Sequence, residues 1–144
     1  MPLLLVHHAD AVSPAVDSMR PLSRSGHDQA SRVAAAVATL DFVPELIWHS
    51  SKLRARQTAE ALFLGCNQSA TVGPVRGLLP GDPPSWLRDQ LAHESRAIAL
   101  VGHFPHLPAL LSALIGDERP FPLHGCVLLE PDGDLWHEVW RFAP

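Results

Sequence analysis

The chain has 144 residues, of which 47% are hydrophobic, and a formal net charge of −4 at pH 7. A chain of this length buries about two-thirds of its unfolded surface in one core, so we expect a single domain over residues 1–144. Its lysines and arginines form no cluster, which argues against nucleic acid or an anionic membrane as the partner. A small anionic ligand is compatible with this composition.

Targeting segments and disulfides are not expected. No apolar run approaches the roughly 18 residues of a membrane span, and the N-terminal segment lacks the basic flank and apolar length of a signal peptide. Cys66 and Cys126 form neither a CxxC pair nor a dense cysteine framework. We therefore expect a cytoplasmic protein with two buried thiols.

The first predicted strand ends at a pair of histidines. Leu3–Val6 is a continuous apolar run, typical of a strand buried on both faces of a parallel sheet, and it leads into His7 and His8. After an irregular stretch, Ser23 offers an N-cap to a segment whose apolar residues recur at helical spacing as far as Leu40.

The strand, turn and helix order then repeats. Leu46–Trp48 predicts a second strand, and the Ser50-Ser51 pair is interpreted as the cap of a helix that runs through Phe63. A loop rich in proline and glycine covers Leu79–Pro84 and precedes a short helix near Ser85–His93.

The last third of the chain predicts a buried strand, a helix and a hairpin. Ala97–Val101 is an apolar run that leads to His103, and a leucine stripe after Pro105 predicts a helix that Gly116 ends. An Asp-Gly pair predicts a hairpin between two further strands. These are Cys126–Glu130 and Leu135–Phe142, with Trp136 and Trp140 expected on one face.

Alternating strands and helices predict a three-layer α/β/α sandwich with a mostly parallel sheet and a C-terminal antiparallel hairpin. In such sheets ligands bind outside the carboxyl ends of the strands. Those ends carry histidines and cations, which can attack phosphorus and pair with phosphate oxygens. The residues are His7 and His8, Ser50 to Arg56, and Gly102 to His106, with Arg20 in the first loop.

These segments together resemble the histidine phosphatase superfamily, specifically its small phosphohistidine phosphatases of the SixA type. Each matching motif is weak alone, and the four in register, between Leu3 and about Leu114, are specific. The matching pieces are Leu5–Ala11, Asp17–Ser23 with Gly26, Ser50–Thr58 and Val101–His103.

The resemblance implies a phosphoglycerate mutase-like fold and a phosphatase that needs neither metal nor organic cofactor. It makes His8 the nucleophile, Arg20 and Arg54 ligands of the phosphate, and His103 the second histidine at the transferring group. Ser50 is expected in the same pocket.

One position departs from the family, which has an arginine immediately before the nucleophile where this chain has His7. An imidazole there removes a permanent charge and a bidentate contact with the phosphate. If that contact contributes about 1.5–3 kcal/mol, its loss lowers activity roughly ten- to a hundredfold. His7 partly replaces the guanidinium if a bound phosphate keeps it protonated, and activity then rises on acidification.

An acidic proton donor is also hard to find. Larger members use an acidic residue in a loop that corresponds to Leu79–Pro83, and Asp82, the nearby candidate, is also typical of a turn residue beside proline. A phosphohistidine needs less acid catalysis than a phosphate ester, because its leaving group is an imidazole. The expected substrate is therefore a phosphohistidine-bearing protein or a small phosphorylated molecule that binds next to Asp82.

Two alternatives stay open from the sequence. The first is a phosphoryl-binding module that no longer turns over, with His7 as its signature. The second is a metal site formed by His7, His8, His103 and His106, which the absence of a metal-ligand motif and the nearby arginines oppose.

Overall fold

The computed structural model describes residues 1–144 and contains one six-stranded sheet and four helices. The predicted α/β sandwich is confirmed, and each predicted helix and strand is present. The elements are β1 (Leu3–His7), α1 (Arg24–Val37), β2 (Leu46–His49), α2 (Leu53–Cys66), β3 (Thr71–Pro74), α3 (Pro84–Leu91), β4 (Ile98–Gly102), α4 (His106–Ile115), β5 (Cys126–Asp132) and β6 (Leu135–Phe142).

The sheet has the order β3-β2-β4-β1-β5-β6, so β1 lies inside it. β1 pairs with β4 in parallel and with β5 antiparallel, and Val6 lies opposite Val101 on one side and Cys126 on the other. Parallel strands β1, β2 and β4 thus end at the same edge of the sheet, where antiparallel β5 begins. No helix is both long and apolar enough to cross a membrane.

Two cores form on opposite faces of the sheet because successive side chains of a strand point to opposite sides. Leu3 and Leu5 pack with leucines of α3 and α4, whereas Leu4 and Val6 pack against α1 and α2. All five residues of β1 are buried, which explains its continuous apolar run.

Local chemistry ends the helices largely as predicted. The Ser23 side chain accepts the Gly26 N–H at 3.0 Å at the start of α1, and Gly116 ends α4 with a left-handed φ of 75°. The second prediction of a cap is wrong: the N-cap of α2 is Lys52, with no side-chain cap, and the Ser50 hydroxyl lies 2.6 Å from His103 Nε2 and accepts the Lys52 N–H at 3.3 Å.

Three further expectations are corrected. β3 was not predicted, because Thr71–Pro74 is only half-buried and shows no alternation. A register shift between Leu128 and Leu129 changes the facing of β6, so Trp136 packs against the α3/α4 core and Trp140 against the α1/α2 core. Both cysteines are free thiols, but only Cys126 is fully buried, and Cys66 is half-buried.

Gly26 allows α1 to approach the loop that follows β1. A Cβ on this residue would lie 1.9 Å from the Asp10 carbonyl oxygen. We expect Gly26→Ala to lower the free energy of unfolding, because overpacking of about 1–3 kcal/mol exceeds the roughly 0.5–1 kcal/mol that alanine gains in a helix. Urea titration measures the difference.

Gly81→Ala is the matched control, since no atom lies within 4 Å of the Cβ position of Gly81. Its unfolding free energy should change by less than about 0.5 kcal/mol. Equal effects of the two substitutions would contradict the proposed close contact at Gly26.

Candidate active site

His8 follows β1 directly and is held at the edge of the sheet in one tautomer. Its backbone N–H donates to the Gly102 carbonyl at 3.1 Å, and its Nδ1 lies 2.7 Å from the Ala9 carbonyl oxygen. Since a carbonyl only accepts, Nδ1 carries the proton and Nε2 keeps a lone pair. Burial lowers the pKa of His8 to about 4, so the ring is neutral at pH 7.

Arg54 and Arg20 form a cationic pair beside this ring, and neither takes part in any ion pair of the molecule. The Nε of Arg54 is buried without a hydrogen-bond partner. Burial lowers the pKa of Arg54, and the charge of Arg20 lowers it further. Two uncompensated guanidinium groups at one edge suit a bound anion.

The loop that carries Arg20 is closed on itself. Arg20 adopts a left-handed φ of 49°, and its Nε donates to the Val12 carbonyl at 3.0 Å, which leaves the two terminal nitrogens of the guanidinium for a ligand. The loop is tied to α2 by the Leu22 N–H, which donates to Gln57 Oε1 at 2.7 Å. Arg20 and Arg54 therefore reach the site from two connected segments.

His103 and Ser50 form a buried pair on the other side of His8. The Nε2 of His103 lies 2.6 Å from the Ser50 hydroxyl, and its Nδ1 is buried without a partner. The His103 and His8 rings have centroids 5.0 Å apart. Burial lowers the pKa of His103 to about 3, and the charge of His8 adds to the effect, so this imidazole is also neutral.

His7 is a buried ring stacked between Phe104 and His124. The ring centroids lie 4.1 Å and 4.9 Å from that of His7, and the side chain is only 4% exposed. Its Nδ1 accepts the backbone N–H of His124 at 2.8 Å, so the neutral ring carries its proton on Nε2.

The surroundings of His7 oppose the expectation that it replaces the missing guanidinium as a cation. Burial lowers the pKa of His7 to about 2, with the charge of His8 as a further cause. Protonation of Nδ1 would also break the bond from His124. His7 therefore supplies a neutral N–H donor near neutral pH, and acidification to pH 5 does not charge it.

His124 is the site residue that the sequence analysis missed. It lies two residues before β5, and its Nδ1 is 2.8 Å from the His8 carbonyl oxygen. The position of His124 in the sequence could have indicated its place in the site. A residue that precedes a strand antiparallel to β1 lies at the edge of the sheet where β1 ends. This indication depends on knowing that β5 is the neighbour of β1.

Asp82 is engaged in its own turn. Its Oδ2 accepts the Leu79 N–H at 3.0 Å, and its charge raises the pKa of His106 against the stronger lowering by burial. Asp82 lines a cleft of about 500 Å³ together with Ser51, Arg76 and Trp86.

The histidines that come together differ from those expected for a metal site. One ring nitrogen each of His7, His8 and His124 lies within 4.8 Å of the others, without His103 or His106. The neutral His7 ring has its lone pair on Nδ1, which already accepts an N–H. Its Nε2 therefore offers no lone pair to a metal, and the donor set does not fit a three-imidazole centre.

The fold and this pocket define an α/β protein with two unpaired guanidinium groups and neutral imidazoles at its strand ends. The family model of the histidine phosphatase superfamily (branch 1) matches residues 10–75. An uncharacterised protein of Picosynechococcus sp. is 36% identical over 107 residues, which are 69% of this chain and 62% of the relative. The chain thus spans less than two-thirds of that relative.

Solved structures with the same fold cover nearly the whole chain. A protein histidine phosphatase, SixA, in complex with tungstate has a TM-score of 0.86 at 22% identity and covers 99% of this chain and 97% of its own. The SixA protein of Agrobacterium tumefaciens has a TM-score of 0.83 at 25% identity, with the same two coverages.

A mycobacterial glucosyl-3-phosphoglycerate phosphatase in complex with VO3 has a TM-score of 0.74 at 18% identity and covers 96% of this chain and 98% of its own. The chain is similar to the histidine phosphatase superfamily over residues 10–75, and its fold is that of the SixA structures.

The tautomers of His7 and His8 are opposite, and NMR can observe both. In long-range ¹H–¹⁵N spectra at neutral pH we expect His8 as the Nδ1–H tautomer and His7 as the Nε2–H tautomer, because their Nδ1 atoms donate and accept, respectively. Neither ring should titrate between about pH 8 and pH 5.5, since their pKa values are lowered to about 4 and about 2. His7→Ala and His8→Ala assign the signals, and a midpoint near 6.5, the ordinary value, would contradict the geometry.

Proposed function

We propose that the protein is a phosphatase that works through a phosphohistidine on His8. The observation that carries the proposal is the state of the His8 ring: neutral, fixed by the Ala9 carbonyl, with Nε2 free beside two unpaired guanidinium groups. A neutral imidazole attacks phosphorus through a nitrogen lone pair, and cations stabilise the charge on the phosphoryl oxygens.

In the first half of the reaction, Nε2 of His8 attacks phosphorus in line and the leaving group departs with its bonding electrons. Arg20, Arg54 and His103 contact the phosphoryl oxygens, and His7 adds a neutral N–H. Two related structures hold the oxyanions tungstate and VO3, which supports an oxyanion pocket here. Water then cleaves the bond between phosphorus and His8 Nε2.

The substrate that we propose is a phosphohistidine, carried by a protein or present in a small molecule. Asp82 accepts the Leu79 N–H through its Oδ2 within its own turn, which holds the candidate acid for an ester leaving group in the loop. An imidazole leaving group is protonated readily near neutral pH. The name of one related structure, protein histidine phosphatase, agrees with this class.

We infer a cytoplasmic location, because two unpaired thiols are typical of a reducing compartment. The cleft lined by Ser51 and Trp86 gives a folded partner room to approach the pocket from one side, and we propose that Asp82 contacts the substrate there.

A second candidate is a phosphoryl-binding module with weak turnover. It is favoured by one observation: His7 is neutral and buried where the family has a guanidinium. Loss of that charge weakens stabilisation of the transition state more than it disturbs the shape of the pocket.

Labelling tests the proposed nucleophile. Incubation with ³²P-phosphoramidate should place an acid-labile label on the wild type and none on His8→Ala. Arg54→Ala should label roughly ten- to a hundredfold more slowly, because one charge-assisted contact contributes about 1.5–3 kcal/mol.

Arg56→Ala is the matched control on the same helix, since Arg56 is exposed and pairs with Glu60 at 3.4 Å. It should label at the wild-type rate. Label that persists in His8→Ala, or an equal loss in both arginine variants, would contradict the assignment.

The two candidate functions differ in their response to His7→Arg. A planar guanidinium stacks on aromatic faces such as that of Phe104, so the variant restores a charged donor without emptying the space. We expect kcat/KM for phosphoramidate hydrolysis to rise by about ten- to a hundredfold from a measurable wild-type value. Hydrolysis by the variant alone would make the natural protein a binding module.

A further inference from the structure

His124 differs from the other imidazoles of the site in having both a carboxylate neighbour and access to solvent. Its Nε2 lies 3.9 Å from Asp10 Oδ1, and its side chain is 18% exposed. His7, His8 and His103 are 4%, 9% and 1% exposed, and none of them lies within 4 Å of a carboxylate. His124 is therefore placed to exchange a proton with water.

The hydrogen bond of His124 determines which nitrogen is available. Nδ1 lies 2.8 Å from the His8 carbonyl oxygen, which only accepts, so Nδ1 carries a proton. Nε2 then holds the lone pair, and 3.9 Å to Asp10 is too long for a hydrogen bond. The lone pair remains free for a molecule in the pocket.

The backbone holds this ring in place. His124 has a left-handed φ of 54°, which is uncommon outside glycine and is seen more often for Asn, Asp and His. Stacking on His7, at 6° between the ring planes, and the bond to the His8 carbonyl keep the ring beside the nucleophile. Asp10 is in turn fixed by the Ser23 hydroxyl, which donates to its Oδ2 at 2.6 Å.

The second half of the reaction needs a base more than an acid. When water cleaves phospho-His8, Nδ1–H stays bonded to Ala9, so His8 leaves as a neutral imidazole without further protonation. The attacking water must instead lose a proton. His7, His8 and His103 are buried rings with hydrogen-bond roles of their own, which leaves His124 for this task.

Resting on the proposed phosphatase function, we propose that His124 is the general base that hydrolyses phospho-His8, with Asp10 as its positioning residue. The water oxygen bonds to phosphorus, the bond to Nε2 of His8 breaks and its electron pair returns to that nitrogen, and the water proton passes to Nε2 of His124. Asp10 stabilises the imidazolium, which then releases the proton to solvent.

His124→Asn separates this role from a structural one. Asparagine tolerates the left-handed backbone and can donate a side-chain N–H to the His8 carbonyl, but it does not titrate. Asp10→Asn removes the charge and keeps an acceptor for Ser23. His137→Asn, at an exposed histidine of β6, is the matched control.

The experiment preloads each protein with ³²P-phosphoramidate, removes the donor and follows the decay of the acid-labile label. We expect His124→Asn to load at nearly the wild-type rate and to lose its label about a hundredfold more slowly, the lower range for general base catalysis. Added imidazole should restore part of the rate. Decay in the control His137→Asn should match that of the wild type.

The outcomes separate this proposal from the proposed function. If the wild type acquires no label, the phosphatase assignment fails and the role of His124 fails with it. If the wild type is labelled and His124→Asn loses its label at the same rate, only the role of His124 is overturned. Slower loss of the label in Asp10→Asn, with loading unchanged, supports the positioning role of Asp10. Loss of the label at the wild-type rate in that variant contradicts this role.

Discussion

The site depends on the pairing of β1 with one parallel and one antiparallel neighbour. β4 runs parallel to β1 and brings His103 to the edge where β1 ends, while antiparallel β5 begins at that edge and brings His124 there. The backbone N–H groups of His7 and His8 donate to Gly125 and Gly102, so three segments distant in sequence are joined at His8. Without both pairings the imidazoles would not meet.

The electrostatics of the pocket follow from what this edge lacks. The chain has a net charge of −4, yet Arg20 and Arg54 have no carboxylate partner. The buried imidazoles around them are neutral because desolvation opposes their protonation. The result is a cationic pocket around a neutral His8 ring, and a bound anion would relieve the repulsion between the guanidinium groups.

His7 changes the charge and the hydrogen-bond donors that the pocket offers to an anion. An arginine at this position would bring a permanent charge, whereas the stacked, neutral His7 brings one N–H whose direction is set by the bond from His124. His7 and His124 are parallel rings, and each depends on the other: the backbone of His124 selects the tautomer of His7, and the His7 ring supports that of His124. His7 therefore provides a hydrogen bond of fixed direction in place of a permanent charge.

The sequence by itself determined the layers of the fold, most element positions and the candidate residues His8, Arg20, Arg54, Ser50 and His103. Those predictions rest on local physics: the apolar run of β1, the Ser23 cap and the Gly116 stop act within a few residues of chain. The family resemblance added the roles of the candidates. The resemblance did not reveal that His7 is neutral or which tautomer it adopts.

Only the tertiary structure decided the rest, because these features depend on partners far away in sequence. A bulge beside Leu129 placed Trp136 and Trp140 on opposite faces, and the fold brought His103 within 2.6 Å of the Ser50 hydroxyl. The tautomer of His7 and the place of His124 followed from the pairing of β5 with β1. The spacing of residues along the chain does not show which strand pairs with β1, since strand pairing is selected by the packing of the whole sheet.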